Sequence, residues 1–101
     1  MKNFRTYQLA KTLHRMIEEI EWPAYLRDQA LRASSSIVLN IAEGAGLPSN
    51  RLKSRHYNIA MGSLREVQAA LDIHQKDTSK TEQAADNLAA HLFQLCRSVS
   101  S

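Results

Sequence analysis

The sequence predicts an all-α fold, an antiparallel up-and-down four-helix bundle, on three observations. No stretch alternates apolar and polar residues with the β-branched and aromatic bias of a strand, whereas spacings of three and four recur from end to end. The helical stretches are separated by breakers: Pro23, the Gly44 to Pro48 segment, and Thr78-Ser79. With 101 residues, 44% hydrophobic and 23% charged, the chain suits one core and leaves no room for a second. The predicted organisation is a single domain over 1–101, with helices over about 4–21, 24–44, 49–75 and 79–98.

The first helix is predicted from the spacing of Leu9, Leu13, Met16 and Ile20, and it stops at Trp22 because Pro23 disfavours helix at the residue before it. The second opens near Ala24. Leu26, Ala30, Ala33 and Ile37 form its apolar stripe, Leu31, Val38, Ile41 and Ala42 lie beside it, and Ser34-Ser35-Ser36 offers a place to bend. Gly44 and Gly46 are expected to end it in left-handed capping conformations, with Pro48 preventing continuation. Ser49 is the expected N-cap of the third helix, whose seam is Tyr57, Ala60, Leu64, Val67 and Leu71. Ser79-Lys80-Thr81-Glu82 fits an S-x-x-E capping box opening the fourth, in which Ala85, Leu88, Leu92, Leu95 and Val99 repeat.

The first and third helices carry more apolar residues than one stripe needs. Tyr7, Ala10 and Ile17 form a second line on the first helix, and Ile59, Ala70 and Ile73 lie off the seam of the third. This surplus has two readings: a girdle by which copies of the chain associate, or an unusually wide stripe buried within one subunit.

Composition excludes several classes. No apolar run approaches the roughly 20 residues of a membrane span, and the start of the chain lacks the apolar stretch and cleavage site of a secretory signal, so a cytoplasmic chain is expected. The single cysteine, Cys96, excludes an intramolecular disulfide and a CxxC motif, and sits beside the Leu92-Leu95-Val99 seam as a small core residue. His14, His56, His74 and His91 show no metal-ligand spacing, no Ser-His-Asp or Cys-His grouping is readable, and Gly44-Ala45-Gly46 is too short and lacks a following strand, so it reads as a helix stop rather than a phosphate loop. No catalytic residue, metal or cofactor is expected.

Two groupings remain. Asn40 and Glu43 on the second helix, and Ser63 and Glu66 on the third, are polar residues among apolar ones, each pair three apart and so on one helix face. They read either as a structural hydrogen-bond network between the two helices or as paired carboxylates for acid–base or metal work. The other grouping is basic. The formal charge is +3, but residues 1–65 hold ten Lys and Arg against five acids. The densest cluster, Arg51, Lys53, Arg55 and His56, falls in the first turns of the third helix, where the helix dipole already favours anions. Lys11 and Arg15 form a similar pair on the first helix. Together they predict a phosphate-backbone contact surface for RNA or DNA, repeated if copies associate, with a solvated rim as the alternative. Arg51-x4-His56 also matches the R-x4-H pattern of helical HEPN ribonucleases, but five residues on one helix turn the two side chains about 140° apart. The polar residue that commonly follows the arginine there is Leu52 in this chain.

The segments Phe4…Tyr7-Gln8…Ala10, Ser36-Ile37-Val38-Leu39-Asn40-Ile41-Ala42-Glu43-Gly44-Ala45-Gly46, Ser49, and Ile59-Ala60-Met61-Gly62-Ser63-Leu64-Arg65-Glu66 with Leu71 carry a resemblance over the first three helices. The chain resembles the four-helix-bundle proteins encoded in intervening sequences of bacterial 23S ribosomal RNA, relatives of the accessory variability determinants of diversity-generating retroelements. The resemblance implies an up-and-down bundle that assembles as a homopentamer around a channel and carries no catalytic activity. In the retroelement branch it further implies a basic surface that engages nucleic acid and a reverse transcriptase. The functional expectation is thus a non-enzymatic oligomeric bundle that binds RNA or DNA through backbone charge. The alternative is a protein-interaction scaffold that binds no nucleic acid.

Overall fold

The computed structural model describes residues 4–74 and 76–100, and all regular structure among them is helical: α1 (Phe4–Glu19), α2 (Ala24–Ala45), α3 (Asn50–His74) and α4 (Ser79–Val99). The expected end of the third helix at Gln75 lies outside the described residues. Consecutive helices run antiparallel, and each packs on the two beside it, α1 on α2 and α4, α3 on α2 and α4. The result is a rod of 40 × 21 × 20 Å, as long as its longest helix requires at about 1.5 Å per residue.

The core fills the axis of the rod with Leu13, Ile17, Ile37, Ile41, Tyr57, Leu64, Leu71, Leu88 and Leu92, all fully buried. On α1 the buried line is Thr6, Ala10, Leu13 and Ile17, while Leu9, Met16 and Ile20 are only half-buried. The second line expected for a girdle on the first helix is therefore the subunit's own core, and Ala70 of α3 is buried as well. Apolar surface remains elsewhere. Tyr25 and Leu39 on α2, Leu52, Ile59 and Ile73 on α3, and Phe93 on α4 are exposed.

Three junctions differ in detail from the sequence expectation. At the first, Trp22 is buried, its indole N–H donates to the Ile17 carbonyl at 2.9 Å, and its ring lies 5.0 Å from that of His74. This satisfies a carbonyl at the α1 terminus and closes the α1–α2 corner at Pro23. At the second, neither glycine caps in a left-handed conformation. Gly44 is a helical residue of α2, and Gly46 is the C-cap at φ −86°, ψ −5°. Gly44 instead makes room: a Cβ there would lie 2.5 Å from Cε1 of Tyr57. The expected Ser49 cap is present, with its Oγ accepting from the Leu52 N–H at 3.2 Å. At the third, the expected Ser79–Glu82 capping box does not form, because the helix starts one residue earlier in register and its N-cap makes no side-chain bond to a backbone N–H. Thr78 is the N-cap and its hydroxyl donates to Glu82 Oε2 at 3.0 Å, while Asp77 accepts from the backbone and hydroxyl of Ser79. Those two bonds hold the exposed Asp77 carboxyl below its ordinary range.

The serines of α2 do not break the helix. Ser34 and Ser35 donate to the carbonyls three residues back, and Ser34 meets His14 Nδ1 of α1 at 2.6 Å.

Candidate nucleic-acid interface

The antiparallel topology brings four helix ends together: the start of α1, the end of α2, the start of α3 and the end of α4. Arg5, Lys11, Arg51, Lys53, Arg55 and Arg97 all fall in this half of the rod, where Glu43 is the one acid among the described residues. Every other Asp and Glu lies in the opposite half. The rod is therefore basic at one end and acidic at the other, an asymmetry larger than the net charge of +3 suggests.

Within the basic half the side chains divide by their partners. Arg51 and Arg55 are exposed and share a face of α3, and Arg5 and Arg97 are exposed on α1 and α4. Arg5 opens a groove of about 480 Å³ between these two helices, lined also by His91, Gln94 and Ser98. Lys53 is half-buried, and its ammonium donates to the Gly44 and Ala45 carbonyls at 3.0 Å each. It closes the end of α2, so its charge contributes to the field while its hydrogen bonds are taken by the fold. His56 turns toward α2, its Nδ1 donating to Asn40 Oδ1 at 3.0 Å. The expected cluster of four thus separates into two free arginines and two residues tied to α2.

Lys11 and Arg15 do not join that cluster, because α1 and α3 stand diagonally in the rod. Lys11 lies over the Tyr7 ring at 5.2 Å. With Arg15, His14, Glu18, Ser35 and Leu39 it lines a separate groove of about 310 Å³ between α1 and α2. Arg5 and Arg97 were invisible to sequence inspection since each stands alone in the chain, and only antiparallel topology sets them at the same end of the rod as Arg51.

The polar network also changes membership. Ser36 and Ser63 share a hydrogen bond at 2.8 Å across the α2–α3 seam. Asn40 Nδ2 donates to the Ser36 carbonyl and hydroxyl, and its Oδ1 accepts from His56. Glu43 and Glu66 are exposed and make no hydrogen bond or ion pair among the described residues. They are not a buried carboxylate pair, since rotation along each helix carries them outside the seam. Asn40→Leu, which strands the His56 donor, is expected to cost about 1–3 kcal/mol, whereas Glu43→Gln and Glu66→Gln should each stay within about 0.5 kcal/mol. Urea unfolding of the three variants checks the difference. Cys96 is half-buried, and burial pushes its thiol pKa up, which disfavours the thiolate.

The described residues form a helical bundle with a net basic end, and none of its described helices is long and apolar enough to cross a membrane. More narrowly, the chain belongs to the 23S rRNA-intervening sequence protein family, whose model matches residues 2–101. No curated protein matches it.

Proposed function

We propose that this chain is a non-enzymatic, self-associating bundle of the cytoplasm that binds nucleic acid through phosphate charge, using Arg51 and Arg55 with Arg5 and Arg97 at the same end of the rod. The observation that carries this reading is the segregation of acids along the rod: the described Lys and Arg divide evenly between the halves, but the half where four helix termini meet holds Glu43 alone against them, which leaves it net basic. The family description favours RNA over DNA as the ligand. A role beside ribosomal RNA or a reverse transcriptase, and the pentamer implied by the family resemblance, belong to the same proposal.

The physical logic is multiplication. Two to four free arginines per copy neutralise few phosphates, and each neutralised phosphate contributes about −0.7 to −0.9 to the slope of log affinity against log salt. Copies assembled in the same sense present several such ends to one strand, so modest charge per subunit becomes usable affinity. No base readout is implied, because arginines at a helix end meet phosphates before base edges.

Salt titration tests the reading. Retention of a labelled RNA of about 30 nucleotides should fall steeply between 50 and 200 mM salt, as roughly expected for multiple phosphate contacts. Retention insensitive to salt, or absent at the lowest salt, overturns it and leaves the scaffold reading, in which the exposed apolar residues bind another protein.

A further inference from the structure

The groove between α1 and α4 carries chemistry that phosphate charge alone does not use. It encloses about 480 Å³, within the roughly 300–1,000 Å³ of small-ligand sites, and lies in the net basic half of the rod. Antiparallel packing makes it, since the first turn of α1 meets the last turns of α4. Arg5 stands on one wall. On the other, His91, Gln94 and Ser98 follow the 3-4 spacing that puts three residues on one helix face, and Ala90 and Leu95 flank them. Among the described residues no Asp or Glu lies on α1 before Glu18 or on α4 after Asp86, so neither wall opposes an anion.

The hydrogen bonds these side chains already make decide what they offer a ligand. His91 Nδ1 lies 3.0 Å from the Asn87 carbonyl, which can only accept, so Nδ1 carries the proton and the neutral ring keeps its lone pair on Nε2. Nε2 has no partner within the chain, and none of the buried side-chain nitrogens or oxygens among the described residues goes unpartnered, so Nε2 reaches solvent. Ser98 donates to the Leu95 carbonyl at 2.6 Å, which leaves its oxygen as an acceptor. The Gln94 amide is uncommitted among the described residues and offers an acceptor and two donor hydrogens. Arg5 is exposed and forms no ion pair among them. The α4 wall is thus rich in acceptors beside an apolar floor, and a cation faces it.

We infer that this groove seats one unpaired adenine of the bound RNA. A wall of acceptors selects a base with an exocyclic amino group, which uracil lacks. The Gln94 amide matches adenine in two bonds, its oxygen accepting from the N6 amino group and its nitrogen donating to N7. The second amino hydrogen is left for His91 Nε2, three residues back on the same face. In a duplex that hydrogen pairs with uracil, and the deep, narrow major groove of A-form RNA shuts side chains out, so the base comes from a loop or a single strand. Its flat side lies on Ala90 and Leu95, and Arg5 meets the phosphate of the same nucleotide. This inference rests on the proposed RNA binding: the arginines at the helix ends read no base, and the groove adds a place where one is read.

Binding at one low salt concentration tests it with a short oligouridine, the same oligomer carrying one central adenosine, and a version with 7-deazaadenosine there, which lacks the N7 acceptor. The wild-type protein is expected to hold the adenosine RNA about tenfold tighter than either of the others, the discrimination of roughly one good base-edge pair. Gln94→Ala should bring the adenosine and 7-deazaadenosine RNAs to parity. His91→Phe, which keeps a ring but no acceptor, should shrink the preference over oligouridine. Neither side chain belongs to the core, and circular dichroism on the same samples checks that both variants fold. If the wild-type protein holds the adenosine and 7-deazaadenosine RNAs alike while binding still weakens with salt, the base site falls and the phosphate reading stands. A preference for adenosine that survives both substitutions places base readout elsewhere and overturns this groove as well. Retention of none of the three RNAs at the lowest salt overturns both readings.

Discussion

An Arg51→Glu, Arg55→Glu chain is expected to lose RNA affinity by about 100-fold at low salt while keeping its helix content and its assembly state. The expectation follows from where the two side chains stand. Both are exposed on the first turns of α3 and neither is used by the fold, so reversal leaves packing intact. The residues between and beside them serve structure. Lys53 holds the last carbonyls of α2 and His56 holds Asn40, so substitutions there mix stability with binding. Filter binding at two salt concentrations, with circular dichroism on the same samples, checks the claim. Equal affinity of the reversed chain would place the RNA contact elsewhere, and the α1–α2 groove with Lys11 and Arg15 would be the next surface to reverse.

The second large effect concerns the fold. Gly44→Ala is expected to destabilise the subunit by about 3 kcal/mol, at the upper end for overpacking, and Gly44→Val to prevent folding. The added Cβ would lie 2.5 Å from Cε1, 2.9 Å from Cδ1 and 3.2 Å from Cζ of Tyr57. That ring cannot swing aside, because it is fully buried. The α2 backbone would have to retreat, opening the contact that the Ser36–Ser63 bond locks further along the seam. Thermal unfolding of Gly44→Ala should show a melting temperature lower by about 15 °C, which follows from about 4–8 °C per kcal/mol for a domain of this size. Combined with Tyr57→Leu, which removes the clashing ring atoms, the alanine should cost much less than it does alone. A strictly additive double mutant would show that Tyr57 is not what the glycine accommodates.

Gly44 also illustrates what a sequence displays and what it conceals. A glycine near a helix end reads as a cap because local backbone conformation is the usual reason for one. Here the reason is lateral space against a ring thirteen residues on, visible only once α2 and α3 are side by side. Pro23, Pro48 and Ser49 act where they stand in the chain, so the corners they make were legible. The seams of α3 and α4 were legible for the same reason, being periodic within one helix. On α1 the periodicity admitted two neighbouring lines, and only the presence of α2 and α4 decides that Ala10 and Ile17 face the core.

The site was less legible than the fold. Glu43 and Glu66 look embedded when neighbours are counted along the chain, yet helical rotation places them on the surface. The partner that completes the network, His56, stands within the basic cluster when only the order of residues is read. Its proximity to Asn40 depends on the register between two helices, which no local pattern encodes. Arg5 and Arg97 join Arg51 because antiparallel connectivity returns the chain to the same end.

Assembly and binding are coupled in this account. Gathering like-charged ends costs Coulombic repulsion, and a polyanion laid across them removes that cost, so RNA should promote association and association should tighten RNA binding by the same factor. Sedimentation at one low salt concentration, with and without RNA, should show a larger oligomeric fraction when RNA is present. The measurement closest to the centre of the account is the mass of the RNA-bound species by light scattering. Several copies of the 11.4 kDa chain are expected on one RNA too short to hold them as independent neighbours. One copy per RNA, bound as tightly as the wild-type protein at its highest concentration, would contradict it.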